Sequence, residues 1–527
     1  MEPESPSSRE TFPRFANAVI GVAFAVVATT VAIVRFRTSP LYPTYNDINS
    51  DVYVYQIIGN SWTHGLLPYR DVYDIKGPFL FLLFGLFARI RPWSMGPPLV
   101  VLTLLAFMSV WLAYAIARLY NLRRSIAAVS AVSSILLIYL SVMSVESSFT
   151  CAELAVPAIL LMLWLTLCWL QKGTINAWWW MIDGVLLGAL FWSKYLVIIP
   201  WVGILLASVV LVIRGQILAR DLRRVIFLHL IGVAIASALI LPFYAAILPD
   251  MLRGYFLAAS TDLRAVLATQ REFVDLVTSN AAVAFALAGM LVWFLLRVTR
   301  RGHAEDVALA IALPVTLVGS VAVNVHANSM FVPLAFLAVA VPQVLSAAEA
   351  RSHVTGLTVA IGAAVLAVTA CVRPFAESVT DYRMFRHPRP VTCYNLTTMK
   401  GVKTEKNVTM MFAETAGYQP ILSVGRLFAA RTSYVSRAPM RHPFQIDYYL
   451  YTDKMGASEI QARYLQERTF GYVWIHIDKF DRFHDIEGQI EDKTYGVGAA
   501  QTTQRAALAA NYVPVLSCKN DVLLRSR

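Results

Sequence analysis

Apolar stretches about 20 residues long recur along the chain between residues 15 and 372, with short polar loops between them. A helix needs about this length to cross the ~30 Å of hydrocarbon in a bilayer. The pattern therefore predicts about eleven transmembrane helices. The predicted spans are residues 15–34, 97–117, 126–145, 152–170, 178–199, 200–213, 225–248, 281–297, 306–324, 331–347 and 354–372.

Two apolar segments need separate treatment. Residues 78–92 are apolar but too short to cross a bilayer, and counting them as a span would move the basic loop at residues 118–124 to the other membrane face. We expect an interfacial or re-entrant helix there. Residues 15–34 lack a small-residue cleavage site, so we expect this span to remain as an anchor.

The composition indicates an α-helical polytopic membrane protein. Of the 527 residues, 57% are hydrophobic and 15% are charged, and the mean hydropathy is +0.57. The net charge of +12 does not point to nucleic acid, because many of the basic residues lie in alternate loops between the spans. These residues are Arg118, Arg123, Arg124, Lys172, Arg214, Arg220, Arg223, Arg224, Arg297, Arg300, Arg301 and Arg351.

The positive-inside rule assigns these basic loops and the N-terminus to the cytoplasm. The first external loop is then residues 35–96, and the other external parts are residues 146–151, 249–280, 325–330 and the tail. We expect a multi-pass protein of the bacterial inner (plasma) membrane. Residues 1–372 form the predicted transmembrane domain, and residues 373–527 form a small extracytoplasmic α/β domain.

The tail has short apolar runs in place of membrane-length ones. Residues 471–477 and 512–517 are predicted strands, and residues 457–468 and 500–511 are predicted helices. Cys393 and Cys518 lie near the two ends of this region, where an oxidising compartment would allow a disulfide; two unrelated buried thiols are the alternative. The sequence has no CxxC or His/Cys cluster with zinc spacing.

Charged residues gather in the first external loop, directly after an apolar span. Residues 45–78 (YNDINSDVYVYQIIGNSWTHGLLPYRDVYDIKGP) contain Asp47, Asp51, Asp71, Asp74 and Lys76. Ionisable groups beside hydrocarbon are unfavourable unless they face water, a partner or a substrate. The cluster is therefore a candidate functional site.

Four separated segments carry a family resemblance. They are residues 64–78 (HGLLPYRDVYDIKGP), residues 144–157 (SVESSFTCAELAVP), residues 324–335 (NVHANSMFVPLA), and a tail with residues 418–434 and the terminal YVPVLSCKNDVLLRS. Their order resembles bacterial members of the GT-C superfamily, membrane glycosyltransferases related to protein mannosyltransferases and aminoarabinose transferases. Ala327 departs from the family pattern, which has an aromatic residue there. The resemblance implies a polyprenyl-phosphate-sugar donor.

Sugar transfer from a lipid phosphate needs a base for the acceptor proton and cations for the departing phosphate. Asp51 is the candidate base, because it precedes an aromatic-rich segment and matches the family's first-loop catalytic acid; Asp47 is the second choice. Either residue could instead cap a juxtamembrane helix.

A second acidic point lies between the third and fourth spans. Glu153, and with less weight Glu146, could orient the acceptor, and Glu153 could bind a divalent cation together with Asp51. Stabilisation of an N-terminal carboxylate by the helix dipole is the alternative. No cofactor other than this possible cation is expected.

Basic residues are the candidates for binding the donor phosphate. Lys76 is followed by Gly77 and Pro78, which fix a turn and could hold the ammonium group near phosphate. The alternative is that Lys76 only extends its side chain to the membrane interface, as lysines at helix ends commonly do. Asp74 could hold Lys76, whereas Asp71 is more consistent with a structural role. Lys194, in an apolar run, and His326, in a short loop, are the remaining phosphate candidates; a lone loop histidine can also be simply solvated.

These observations predict an inverting glycosyltransferase that works on the extracytoplasmic face. Its partners would be a polyprenyl-phosphate-sugar donor, membrane lipids, and a glycan, lipid or protein acceptor, with no nucleic acid. A flippase for polyprenyl-linked glycans or a polysaccharide polymerase is the alternative. A secondary transporter is disfavoured, because the acidic groups gather at one membrane surface and not at the midplane.

Overall fold

The computed structural model of the protein describes residues 7–35, 51–72, 76–140, 151–173, 175–257, 281–300, 302–323, 330–386, 391–404, 408–424, 457–477, 488–489, 500–518 and 520–527. The helices of the first part are α1 Ser7–Arg35, α2 Asp51–Thr63, α3 Pro78–Ile90, α4 Gly96–Leu119, α5 Arg124–Leu140, α6 Cys151–Lys172, α7 Ala177–Phe191, α8 Ile199–Ile213, α9 Ala219–Ile240, α10 Leu248–Leu252, α11 Ala281–Arg300, α12 Ala304–Val323, α13 Phe331–Leu334, α14 Leu337–Glu349 and α15 His353–Arg386. Short 3₁₀ segments at Tyr195–Ile198 and Leu241–Ile247 and a π turn at Arg253–Leu257 lie between some of them.

The helices form a membrane bundle. Within the described residues, six helices are long and apolar enough to cross a bilayer, and shorter apolar helices accompany them. Large apolar side chains such as Val22, Ile213 and Phe285 are exposed, as expected for a surface that faces lipid. The predicted class of α-helical membrane protein is confirmed, whereas the count of eleven crossings stays a prediction.

The helix α6 lies at the centre of this bundle. Most of its residues are buried on all sides, so it has no polar face. The long helix α15 has 34 residues, or about 51 Å, which exceeds the hydrocarbon thickness and carries the chain towards the C-terminal domain. It continues to Arg386, although the last predicted span ended at residue 372.

The predicted fifth span, residues 178–199, is wrong at its second half. Helix α7 ends at Phe191, and the chain then passes through a turn and a short 3₁₀ helix before α8 begins at Ile199. Hydropathy cannot detect this break, because the residues on both sides remain apolar. As a result, Lys194 lies in the connecting segment and not inside a membrane helix.

The predicted short helix at residues 78–92 is present as α3. Its 13 residues span about 20 Å, too short for a crossing. Pro78 occupies its first turn, where a missing N–H does no harm. Helix α3 packs against α2 through aromatic pairs such as Tyr55 with Phe84.

The C-terminal domain is a six-stranded sheet with helices on both faces. Its strands are β1 Val391–Asn395, β2 Lys400–Thr404, β3 Ile421–Val424, β4 Tyr472–His476, β5 Tyr512–Cys518 and β6 Asp521–Ser526, in the order β2-β1-β5-β6-β4-β3. Only β3 and β4 are parallel among these pairs. Helix α16 (Val408–Thr415) packs on one face, and α17 (Ala457–Gln466) and α18 (Gln501–Asn511) pack on the other. The predicted α/β domain is confirmed.

The predicted pairing of the two tail cysteines is also confirmed. Cys393 on β1 lies directly opposite Cys518 on β5, and the two form a disulfide bond. Because β5 follows β1 by more than a hundred residues, the bond closes a long loop of the domain.

We expect loss of this disulfide to destabilise the C-terminal domain. The double variant Cys393→Ser/Cys518→Ser removes a cross-link with a sequence separation of 125 residues, and cross-links of this kind contribute about 2–5 kcal/mol. Thermal unfolding of the purified protein measures the loss, with Cys168→Ser in α6 as the control. Non-reducing peptide mapping that finds both tail cysteines as free thiols would contradict the assignment.

Candidate active site

Several helices begin or end at one end of the bundle, which we call the site end. Helix α1 ends there at Arg35, and α6 begins there, so that Arg35 pairs with Glu153 in the first turn of α6. The turn after α7 contacts the starts of two other helices. The carbonyl oxygen of Ser193 accepts the N–H of Gly77 at 2.7 Å and the thiol of Cys151 at 3.8 Å.

Arg35 and Glu153 form a buried ion pair at the site end. Arg35 Nε donates to Glu153 Oε1, and both side chains are almost fully excluded from solvent. The Arg35 guanidinium also lies 5.0 Å from the centroid of the Phe331 ring, a cation–π arrangement. The pair therefore joins the end of α1, the start of α6 and the start of α13.

This pairing explains how a carboxylate is tolerated at the start of an apolar helix. An isolated ionised group would be strongly disfavoured there, and the guanidinium compensates the charge of Glu153. The sequence reasoning identified Glu153 but missed Arg35. One signal in the sequence could have identified Arg35. It is a basic residue on the side that the positive-inside rule assigns to the exterior, where basic residues are fewer.

The Lys76–Pro78 turn is held by backbone and tyrosine contacts. Phe79 N–H donates to Trp192 O at 3.0 Å, beside the Gly77–Ser193 hydrogen bond. The hydroxyl of Tyr69 donates to Lys76 O, and that of Tyr244 to Pro78 O, each at 2.6 Å. The turn is thus fixed by hydrogen bonds on both sides.

Gly77 permits this close approach because it has no side chain. A Cβ at this position would lie 1.9 Å from Trp192 O, well inside van der Waals contact. The turn and the segment after α7 can touch only with glycine here.

The two predicted phosphate-binding lysines lie next to this contact. Lys76 directly precedes Gly77 and Lys194 directly follows Ser193, so one backbone hydrogen bond brings together lysines from distant parts of the sequence. The Lys76 ammonium lies 5.8 Å from the centroid of the Tyr55 ring. Both lysine side chains are half-buried.

Lys194 directly precedes the 3₁₀ helix that leads into α8. Tyr255 holds this segment, because its hydroxyl accepts the Tyr195 N–H at 2.9 Å and donates to Phe191 O. Trp192 Nε1 donates to Ser237 Oγ on α9 at 2.9 Å. None of these tyrosine and tryptophan contacts was predicted from the sequence.

Asp71 has the structural role that the sequence indicated. Its carboxylate accepts the Leu67 N–H at 2.8 Å and both Nε and Nη2 of Arg70 at 3.1 Å. Partial burial would raise the pKa of Asp71, but the hydrogen bonds from Arg70 and from the Leu67 amide outweigh it and lower the pKa. Asp71 is occupied in bracing the loop after α2.

Several predicted site residues lie outside the described residues: Asp47, Asp74, Glu146 and His326. Helix α2 begins at Asp51, but the side chain of Asp51 is likewise not described. Among the groups that the structure does describe, no three His, Cys, Asp or Glu side chains cluster in a way that could hold a metal ion. Glu153 is already engaged by the Arg35 guanidinium, which does not suit a cation ligand.

A polar cavity of about 500 Å³ lies at the opposite end of the bundle. Its lining includes Arg297 and Glu305 near the α11–α12 connection and Gln343 on α14. Arg297 is paired with Asp306 at 2.6 Å. This cavity is separated from the site end by the length of the helices.

Comparison with known proteins identifies the fold. No protein-family model matches the sequence, and no curated protein matches it in sequence. ArnT from Cupriavidus metallidurans in the apo state matches in structure with a TM-score of 0.60 and 13% identity, over 97% of this chain and 98% of that one. ArnT bound to undecaprenyl phosphate gives a TM-score of 0.56 and 12% identity, over 95% and 97%. The oligosaccharyltransferase AglB from Archaeoglobus fulgidus matches with a TM-score of 0.48 and 12% identity, over 94% and 74%.

The chain therefore has the fold of ArnT, and the GT-C resemblance seen in the sequence is confirmed at the level of the fold. The likeness to ArnT extends over almost the whole of both chains, including the C-terminal domain. At 13% identity it defines the fold, while the roles of individual residues rest on the chemistry of the site.

We expect Gly77→Ala to destabilise the protein by about 1–3 kcal/mol, because the new Cβ forces the Lys76–Pro78 turn away from Trp192. Gly289→Ala is the matched control, since a Cβ at that position meets nothing within 4 Å. Unfolding in detergent measures both variants. Equal stability of the two variants would show that the contact is not formed.

The buried ion pair predicts strong coupling between its two residues. Arg35→Met and Glu153→Leu should each cost about 3–5 kcal/mol, because each leaves one buried charge without its partner. The double variant should recover most of this loss, since neither charge remains. A double-mutant cycle of unfolding free energies measures the coupling, and additive effects would argue against the pair.

Proposed function

We propose that this protein is an inverting glycosyltransferase that moves a sugar from a polyprenyl-phosphate donor to a hydroxyl of a lipid-linked glycan, lipid or protein. We further propose that it lies in the bacterial inner membrane with its site end outside the cytoplasm. The observation that carries the proposal is the Gly77–Ser193 hydrogen bond. Lys76 directly precedes Gly77 and Lys194 directly follows Ser193, so this bond brings the two lysine positions together.

Two lysines in this arrangement suit the phosphate of the donor. Nearby ammonium groups bind the phosphate of the donor before transfer, and they continue to balance its negative charge when it leaves. The lysines are half-buried among aromatic side chains, where screening by water is weaker than at an open surface. ArnT, which shares the fold, has been solved with undecaprenyl phosphate bound, and this supports a lipid phosphate as the ligand.

Asp51 is proposed as the general base. Position 51 lies one helical turn before Tyr55, so the two positions share a face of α2, and the Lys76 ammonium lies over the ring of Tyr55. The proposal puts the base one helical turn from the aromatic residue that contacts Lys76. Asp47, earlier in the same loop, is the second candidate for the base.

The reaction is a single displacement. The base takes the proton of the acceptor hydroxyl while the hydroxyl oxygen forms a bond to the anomeric carbon. The bond from that carbon to the phosphate oxygen breaks, and the lipid phosphate leaves with the electron pair towards Lys76 and Lys194. Attack opposite the leaving group inverts the anomeric configuration.

Glu153 is proposed to orient the acceptor from the start of α6, with Arg35 holding its carboxylate in place. The double variant Arg35→Met/Glu153→Leu has neither charge, so it tests this role without leaving an unpaired charge that would destabilise the fold. If Glu153 contributes to transfer, the double variant should be stable and inactive; if it only balances Arg35, the double variant should be stable and active. Asp74, Glu146 and His326 are proposed as further contacts of the donor or acceptor.

The test is transfer from a polyprenyl-phosphate sugar by the full-length protein in proteoliposomes. Mass spectrometry of lipid-linked glycans from a strain that lacks the protein would first identify the missing sugar and its acceptor. Asp51→Asn should then lower kcat by about 10²–10⁴-fold, as expected for loss of a general base. Full activity of this variant would show that Asp51 is not the general base.

The lysine variants test the phosphate site in the same assay. Lys76→Ala and Lys194→Ala should each weaken the donor interaction by about 10–100-fold in kcat/KM, the effect of losing one charged contact. Lys172→Ala, at the opposite end of α6, is the matched control and should leave kcat/KM unchanged. Equal behaviour of all three lysine variants would contradict the proposed phosphate site.

A further inference from the structure

A second buried acidic residue lies inside the bundle, away from the proposed site. Asp183 on α7 is fully buried. Its Oδ2 accepts the indole N–H of Trp201 on α8 at 3.0 Å and lies 2.9 Å from His229 Nε2 on α9. We call these three residues the Asp183 clasp. Ionisable groups within membrane helices are rare and need a physical reason.

Hydrogen-bond counting shows that the clasp holds one shared proton. His229 Nδ1 lies 3.0 Å from Val225 O, and a carbonyl can only accept, so Nδ1 carries a hydrogen. Two lone pairs cannot face each other at 2.9 Å, so a proton must lie between His229 Nε2 and Asp183 Oδ2. The pair is neutral in sum, whichever residue holds the proton, and this makes its burial acceptable.

The clasp sits where α7 and α9 touch through glycines. A Cβ on Gly184 would lie 2.7 Å from the His229 backbone, and one on Gly232 would lie 2.4 Å from Met181 O. Small residues allow this close packing but give little resistance to sliding along the helix axis, since apolar surfaces in a membrane have few directional contacts. The hydrogen bonds of the clasp are directional and fix the axial register of α7, α8 and α9.

These three helices carry the contacts that place the two lysines. The segment that follows α7 contains Ser193, which holds Gly77, and Lys194. Helix α8 begins just after the 3₁₀ helix that follows Lys194. The chain that follows α9 contains Tyr244, which holds Pro78. A shift of any one helix along its axis would therefore move one lysine relative to the other.

We propose that the Asp183 clasp is a positioning element: by fixing the register of α7, α8 and α9, it sets the position of Lys194 relative to Lys76 and thereby the affinity for the donor phosphate. This inference rests on the proposed function for its kinetic consequence. The clasp itself does not touch the substrate, and its shared proton does not enter the reaction.

Two substitutions of Asp183 separate positioning from the alternatives. Asp183→Asn keeps the shape of the side chain and removes the shared proton, but because both contacts meet at Oδ2 its amide can form only one of the two hydrogen bonds at a time. Asp183→Leu removes both hydrogen bonds. Asp306→Leu is the matched control, because Asp306 is equally buried and ion-paired but lies at the opposite end of the bundle.

Kinetics in proteoliposomes give the first readout. Asp183→Leu should raise the donor KM at least tenfold with kcat within about threefold, whereas Asp183→Asn, which keeps one of the two hydrogen bonds, should raise KM by a smaller factor with kcat likewise within about threefold. Asp306→Leu should lower the melting temperature without a change in KM. An unchanged KM in Asp183→Leu would show that the clasp is a purely structural feature. A loss of kcat in Asp183→Asn would show that the shared proton takes part in the reaction. Either result would overturn the proposal.

A readout that does not depend on activity separates this proposal from the proposed function. Lys194→Cys, in a protein whose Cys151, Cys168 and Cys371 are replaced by alanine, reports the exposure of position 194 through its rate of labelling by a maleimide. Asp183→Leu should change this rate at least fivefold and Asp183→Asn by a smaller factor, whereas Asp306→Leu should leave it unchanged. A changed labelling rate, together with no sugar transfer by the wild-type protein, would leave the positioning intact and refute the function; an unchanged labelling rate would refute the positioning.

If Asp183→Leu does not fold, as judged by size-exclusion chromatography, Trp201→Phe replaces it. This variant keeps one aromatic ring and removes the indole N–H donor to Asp183 together with the second ring of the indole. It should change the labelling rate at position 194 in the same direction by at least twofold. No change in a folded Trp201→Phe protein would overturn the proposal.

Discussion

One backbone hydrogen bond, from Gly77 N–H to Ser193 O, holds together the proposed phosphate site. It is possible only because Gly77 has no side chain, since any Cβ would collide with Trp192 O. The bond joins the first external loop to the break between two membrane helices, and it leaves Lys76 and Lys194 on its two sides. The phosphate chemistry proposed for the protein depends on this contact, because each loop contributes only one of the two lysines.

Buried acidic residues follow a common rule in the described part of the bundle. Glu153 is paired with Arg35, Asp183 with His229 and Asp306 with Arg297, and in every case the partner comes from a different helix. Apolar helices in a membrane have no hydrophobic preference for one register over another. Ion pairs between helices supply that preference, because a shift along the axis would leave a buried charge without its partner. The pairs therefore act as register markers within an otherwise apolar protein.

The sequence was sufficient for the features that depend on local pattern. Apolar runs of membrane length predicted the class of fold, and the tail strands at Tyr472–His476 and Tyr512–Cys518 followed from short β-rich runs. The sequence did not predict the features that leave no trace in the pattern of apolar and polar residues. The break after Phe191 lies within continuous apolar sequence, and the Arg35–Glu153 pair joins residues 118 positions apart. Lys76 and Lys194 were each recognised as candidates for binding phosphate, but the contact between their two loops could be found only from the structure.

The Arg35–Glu153 pair also affects the electrostatics of the proposed site. A free carboxylate at the start of α6 would offset part of the positive potential of the two lysines, because Ser193 contacts Cys151 in that same first turn. Paired with Arg35, Glu153 keeps its acceptor atoms while its charge is balanced. The proposed phosphate site therefore lies close to an acidic group whose charge is already balanced, and the end of α1 supplies the arginine that balances it.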